Sequence, residues 1–166
     1  MLANRLGCEA AGTFAAIALV AGTIASRIAP SCRPSAPVAV VGIHGVDDPS
    51  VPFNGGSVGG TASAGRVEGS RATQELWRAV NRCSREVTVT PLPVVVHDGT
   101  SVDRRAYGRC RANVVWYEIK GGGHRWPPRR SEGAREPLAE RENGRSSQNL
   151  DASEVIWAFF AAHPRR

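Results

Sequence analysis

Three runs in this chain are apolar at nearly every position: Ala15 to Val20, Val38 to Ile43 and Val114 to Ile119. Each is about one strand long, and none alternates apolar with polar, as a strand facing water on one side would. Continuous apolarity is what a parallel strand covered on both faces requires. Between and around these runs the period changes. Met1 to Ala11 places Leu2 and Leu6 four apart and is stopped by Gly12, which predicts a helix. Ser70 is read as the cap of a second helix, in which Ala72, Leu76 and Val80 share one face. Asp151, with Glu154 at the third helical position, predicts a last helix whose stripe is Val155, Ile156, Phe159 and Phe160, ended at His163-Pro164.

The remaining segments are punctuation. Thr88 to Arg105 has β character and turns at Asp98-Gly99. Pro30 to Pro37, the Gly- and Ser-rich Asn54 to Gly69, and the Arg- and Glu-rich Pro127 to Asn149 read as loops, the last as an irregular excursion. Strands followed by helices or long loops, with no internal repeat, place the chain in the α/β class. Its 166 residues suit one domain with a single core.

Composition narrows the functions open to it. A formal charge of +6 invites a nucleic-acid reading, but the cations are scattered arginines, with Lys120 the sole lysine. They form no basic stripe interleaved with aromatics and no helix-turn-helix or zinc-finger spacing, so no nucleic-acid partner is expected. The apolar stretch Phe14 to Ala25, behind Arg5, has a signal-like outline. Cys8, Glu9, Gly12 and the turn pair Ala21-Gly22 favour the helix, turn and strand reading instead, and the stretch is too short to span a bilayer.

Cys8, Cys32, Cys83 and Cys110 contain no Cys-x-x-Cys and allow three disulfide pairings. The economical one joins Cys8 to Cys32 and Cys83 to Cys110, each closing a local loop, and implies an oxidising compartment. Buried free thiols are the alternative.

Candidate chemistry sits just past two of the apolar runs. His44-Gly45-Val46-Asp47-Asp48-Pro49 follows one, and Gly121-Gly122-Gly123-His124-Arg125-Trp126-Pro127 the other. Catalytic groups of open α/β sheets collect at the carboxyl ends of their strands. A general-base histidine must be aimed back over the sheet, and glycines before His124 permit the turn that does so. Asp48 or its neighbour Asp47 is placed to orient that imidazole and stabilise the imidazolium formed in acyl transfer. An acid followed by a base is the chain order of α/β-hydrolases after their Gly-x-Ser-x-Gly nucleophile elbow, and no Gly-x-Ser-x-Gly occurs here. His44 with Asp48 and His124 is a weak metal set, and no metal is assigned. His97 and His163 read as surface residues.

Longer stretches carry a family likeness. They are Met1-Leu2-Ala3-Asn4-Arg5-Leu6-Gly7-Cys8-Glu9, Phe14 to Gly22, Ile43-His44-Gly45 with Asp48 and Val51-Pro52-Phe53, and Trp77 with Asn81 and Cys83. Gly121-Gly122-Gly123-His124 with Trp126-Pro127, and Leu150 to Phe160, complete the set. On these residues the chain resembles the C-terminal portion of a secreted α/β-hydrolase of the polyhydroxybutyrate depolymerase and feruloyl esterase type. The resemblance implies that residues 1–166 are the C-terminal half of a mainly parallel sheet with flanking helices, lacking the N-terminal strands and the nucleophile elbow. It assigns the triad acid to Asp48 rather than Asp47 and the base to His124. It aligns Met1 with the Met that follows the nucleophilic Ser, which places that Ser a few residues upstream.

The same resemblance implies export with disulfides, a signal peptide in the missing part, a small or polymeric ester as substrate, and no cofactor. The chain as written would then be inactive for want of its Ser. The departures are Phe53 where a Tyr is common and the glycine-rich Gly55 to Gly69, both bearing on the pocket. The competing expectation is a non-catalytic secreted or envelope remnant that binds an aromatic or polymer fragment at Trp126.

Overall fold

The computed structural model describes residues 1–128 and 136–165. In chain order the elements are α1 (Leu2–Glu9), β1 (Ala16–Val20), β2 (Ala39–Gly45), β3 (Gly56–Ser57), β4 (Arg66–Val67), α2 (Ser70–Val80), β5 (Val87–Pro91), β6 (Ser101–Tyr107), β7 (Val114–Lys120), α3 (Glu136–Asn143) and α4 (Ala152–Ala162). The three apolar runs become β1, β2 and β7. They lie side by side and parallel, Val20 against Ile43 and Ile43 against Tyr117. The segment from Thr88 to Arg105 supplies most of an antiparallel hairpin, β5 and β6, which joins the sheet on β7 in the order β1-β2-β7-β6-β5. The sheet is therefore mixed: β1, β2 and β7 form the parallel part that the resemblance implies, and the hairpin adds an antiparallel part on the other side of β7. A hairpin needs only a tight connection, whereas a further parallel strand would need a crossover of a dozen residues or more. β3 and β4 form a separate two-stranded ribbon inside the glycine-rich stretch.

Strand side chains alternate between faces, and each face has its own core. On one, Ile17, Leu19, Val40, Val114 and Trp116 pack with Trp77 of α2 and Cys8 of α1. On the other, Ile43, Val102 and Ile119 pack with Leu150 and Ala152, flanked by Val155 and Ile156 of α4. Gly42 pairs with Trp116, and a Cβ there would collide with the indole, so the missing side chain is the space the ring occupies. Disulfides join Cys8 to Cys32 and Cys83 to Cys110. Among the described residues no helix is long and apolar enough to cross a membrane.

Several local expectations change. In α2 the inward face is Ser70, Thr73, Gln74 and Trp77, while Ala72 is exposed and Leu76 and Val80 are half-buried. These buried polar groups have partners. Glu118 of β7 accepts from Gln74 Nε2 at 2.8 Å and from Arg71 at 2.6 Å, and Trp116 Nε1 donates to Ser70 Oγ at 3.0 Å. Ser70 is thus the first helical residue, with Gly69 at the cap. α1 likewise buries Asn4, Gly7 and Cys8, while Leu2 is exposed; Asn4 Oδ1 accepts from Trp77 Nε1 at 2.9 Å. Asp151 caps α4 as its spacing predicts, accepting from Glu154 N at 3.0 Å, but the stripe of α4 is only half-buried. The excursion after Pro127 contains α3, and its residues 129–135 lie outside the described residues.

Candidate active site

β2 and β7 are neighbours and parallel, so the turns that follow them leave the sheet side by side. Backbone bonds lock the two turns together: Val46 N donates to Ile119 O at 2.9 Å and Asp47 N to Gly122 O at 3.0 Å. This approach is close enough to exclude a side chain at Gly45, where a Cβ would strike the carbonyls of Gly122 and Gly123. Gly121, at φ +73°, supplies the left-handed turn that starts the His124 loop. The far side of that loop is held by Gly123 N to Arg145 O at 2.9 Å and His124 N to Asn143 O at 2.6 Å.

Asp48 and His124 meet across this junction, with His124 Nδ1 at 2.9 Å from Asp48 Oδ2. Nδ1 carries the hydrogen and the carboxylate accepts it. The carboxylate is buried, and its other oxygen, Oδ1, accepts from Ser50 N at 2.8 Å and Val51 N at 2.7 Å. His44, 1% exposed, brings Nε2 to 3.3 Å from Asp48 Oδ2 and 3.0 Å from Val51 O. Burial pushes the Asp48 carboxyl up, but hydrogen bonds from His124, His44 and Val51 outweigh it and hold the group well below the usual carboxylate range. The bond to Asp48 raises His124 above its ordinary 6.5, against the opposing pull of burial. About a third of the His124 side chain is exposed, and among the described residues Nε2 has no hydrogen-bond partner. An imidazole held by Nδ1 on a buried carboxylate, with Nε2 open, can take a proton from a group on its outer side.

The remaining candidates fall elsewhere. Asp47 is exposed and contributes its backbone N–H, so the two neighbouring carboxylates of this turn are separated by burial. Trp126, half exposed, donates Nε1–H to Ser153 Oγ at 3.2 Å, which ties it to the first turn of α4 rather than to Asp48. His44 is no metal ligand through Nε2, because a carbonyl only accepts and Val51 O therefore requires the hydrogen on that nitrogen. His97 is exposed, and half-buried His163 donates Nδ1–H to Phe159 O at 2.7 Å. The sequence sets His44 with Asp48 and His124 only as a weak metal set, whereas the structure brings His44 Nε2 to 3.3 Å from Asp48 Oδ2. The signal for this approach is present, since four residues separate His44 from Asp48, but only the turn at Asp48–Val51 brings the ring and the carboxylate together.

No protein-family model matches this chain. In an alignment of 137 positions covering 76% of its length, the chain is 31% identical to the protein named "Putative esterase NocK" from Nocardia uniformis subsp. tsuyamanensis. The chain spans 39% of the length of that relative. It thus has an esterase-like relative, matched over part of that protein.

Proposed function

We propose that this chain supplies the acid, Asp48, and the base, His124, of a serine-type carboxylic ester hydrolase. The observation that carries the reading is the buried Asp48 carboxylate 2.9 Å from His124 Nδ1, at the carboxyl ends of two adjacent parallel strands. Similarity to an esterase-named protein supports the same class. In the reaction the nucleophilic hydroxyl would lose its proton to His124 Nε2 as it attacks the ester carbonyl. The imidazolium so formed is stabilised by Asp48 and then returns the proton to the leaving alcohol. Water repeats the sequence on the acyl-enzyme. The sequence holds no Gly-x-Ser-x-Gly, and the reading assigns the seryl nucleophile and the oxyanion hole to polypeptide outside residues 1–166. Those residues then form the C-terminal part of one α/β-hydrolase domain.

Within that class the polyhydroxyalkanoate depolymerase and feruloyl esterase type is the finer proposal, resting on the motifs around Asp48, His124 and Asp151. The two disulfides fit export to an oxidising compartment. The test compares residues 1–166 with the same chain extended through its upstream reading frame. The extended protein is expected to hydrolyse p-nitrophenyl acetate and to be labelled by a fluorophosphonate, and the short chain to do neither. Labelling of the short chain, or an extended protein inert to both reagents, would overturn the reading. The half-exposed indole of Trp126 favours one second reading, a non-catalytic protein that binds an aromatic or polymer fragment. It predicts quenching of Trp126 fluorescence by ferulate without turnover.

A further inference from the structure

His44 is a costly side chain to place in the core. It lies 1% exposed on β2, and its Nδ1 is buried with no hydrogen-bond partner among the described residues. Leaving a buried polar atom unpaired costs free energy, and an apolar side chain of similar volume would avoid that cost. The ring is used at one nitrogen only. Its strand neighbour in register is Glu118, but that carboxylate is turned to Arg71 at 2.6 Å and Gln74 at 2.8 Å, with Arg105 at 3.7 Å. The polar edge of His44 is directed instead at the turn that carries Asp48, while Phe53 packs against the ring at a centroid distance of 5.6 Å.

We propose that His44 is a positioning residue for the Asp48–His124 pair: its Nε2–H spans Val51 O and Asp48 Oδ2 and fixes the direction from which that oxygen meets His124 Nδ1. The geometry is specific. Ser50 N and Val51 N hold Oδ1 and set the carboxylate in the turn, but neither reaches Oδ2, the oxygen that His124 Nδ1 meets. His44 closes the second side, at 3.3 Å from Oδ2 and 3.0 Å from Val51 O, and so joins strand, turn and acid in one unit. The bond to Val51 O and the contact with Asp48 Oδ2 both call for the hydrogen on Nε2, because the carbonyl and the carboxylate only accept. The importance of this arrangement for catalysis rests on the ester-hydrolase reading; its existence does not.

The test uses the full chain with its disulfides intact, labelled with ¹⁵N-histidine, and reads the imidazoles by long-range ¹H–¹⁵N spectra across the range in which His124 titrates. In the wild-type chain His44 is expected as the Nε2–H tautomer, and His124 with a midpoint above 6.5 and a slowly exchanging Nδ1–H. His44→Gln, whose amide can place an N–H near the same spot, should keep the His124 signature. His44→Met, which fills the volume without a donor, should move the His124 midpoint down towards 6.5 and speed exchange of its Nδ1–H at least about tenfold. A folded His44→Met chain with unchanged His124 signals would overturn the proposal, because a purely structural His44 predicts that result. So would an Nδ1–H tautomer for His44 in the wild-type chain, a readout that holds even if the Met variant fails to fold. Failure of the ester-hydrolase reading looks different: the short and extended proteins would lack esterase chemistry while the histidine signals kept the pattern described.

Discussion

His124 Nδ1 and Asp48 Oδ2 stand 2.9 Å apart although 76 residues separate them in the chain. The parallel pairing of β2 with β7 closes that interval, because it brings the ends of two strands from distant parts of the sequence to one edge of the sheet. The carboxylate is buried and the imidazole partly exposed, so the carboxylate is set behind the ring and the ring faces outward.

The bond between them should be measurable by titration. His124 is raised above 6.5 in the folded chain, chiefly by Asp48, so Asp48→Asn should return its midpoint towards 6.5. Because folding raises this pKa, the stabilisation is complete below about pH 6.5 and is lost as pH rises through the folded midpoint. Asp48 works in the opposite direction. Its depressed pKa contributes stability above its ordinary 3.8, and that contribution is lost as pH falls towards the folded value. Denaturant midpoints measured against pH should show both limbs in the wild-type chain and neither in Asp48→Asn. In the proposed role of general base His124 must be neutral, so on that reading kcat/KM of the extended protein should fall below a midpoint that lies above 6.5.

The two aspartates of the turn should separate cleanly. Asp48→Ala strips the acceptors from Ser50 N and Val51 N and leaves His44 facing a void, at a cost on the order of 3 kcal/mol in urea denaturation. Asp47→Ala alters an exposed side chain whose backbone N–H is unaffected, and should stay within about 0.5 kcal/mol. In the extended protein Asp48→Asn and His124→Ala should each lower kcat by about three orders of magnitude or more, and Asp47→Asn should leave it nearly unchanged. Reversed severity for the two aspartates would reassign the acid.

Gly45→Ala tests the junction without touching either titrating group. The added Cβ would press on Gly122 O and Gly123 O, and these are backbone atoms that cannot swing aside. We expect a loss of about 1–3 kcal/mol and a fall in the His124 midpoint towards 6.5, as the two turns are driven apart. Unchanged His124 signals in a folded Gly45→Ala chain would show that this approach does not govern the pairing.

Reduction of the disulfides should matter to the sheet rather than to the junction. The Cys8–Cys32 and Cys83–Cys110 bridges close sequence separations of 24 and 27 residues, and loops of that size are worth roughly 3 kcal/mol each. Non-reducing peptide mapping should recover these two pairs, and dithiothreitol should lower the thermal midpoint. Four free thiols in protein made in an oxidising compartment would contradict the pairing.

The sequence by itself determined much of this protein. Three apolar runs have the length and continuity of parallel strands, Asp151 with Glu154 marks the start of α4, and each pair of cysteines closes a short loop. Those are local signals, carried by residues close together in the chain. The His124 turn was legible for the same reason: glycines and a histidine directly after a strand define where the chain bends. The residues of the turn alone do not separate Asp47 from Asp48, which are chemically alike; the family resemblance picks Asp48, and the tertiary structure buries Asp48 while leaving Asp47 exposed. It also decided which helix faces are buried. Sequence periodicity favours Ala72, Leu76 and Val80, but the chain buries Thr73, Gln74 and Trp77, because Glu118 and Trp116 on β7 offer partners that make a polar face stable there. The role of His44 belongs to the same class. A histidine inside an apolar strand is ambiguous until the turn at Asp48–Val51 folds back on it, and a hydrogen bond depends on where two atoms come to lie rather than on which residues precede them.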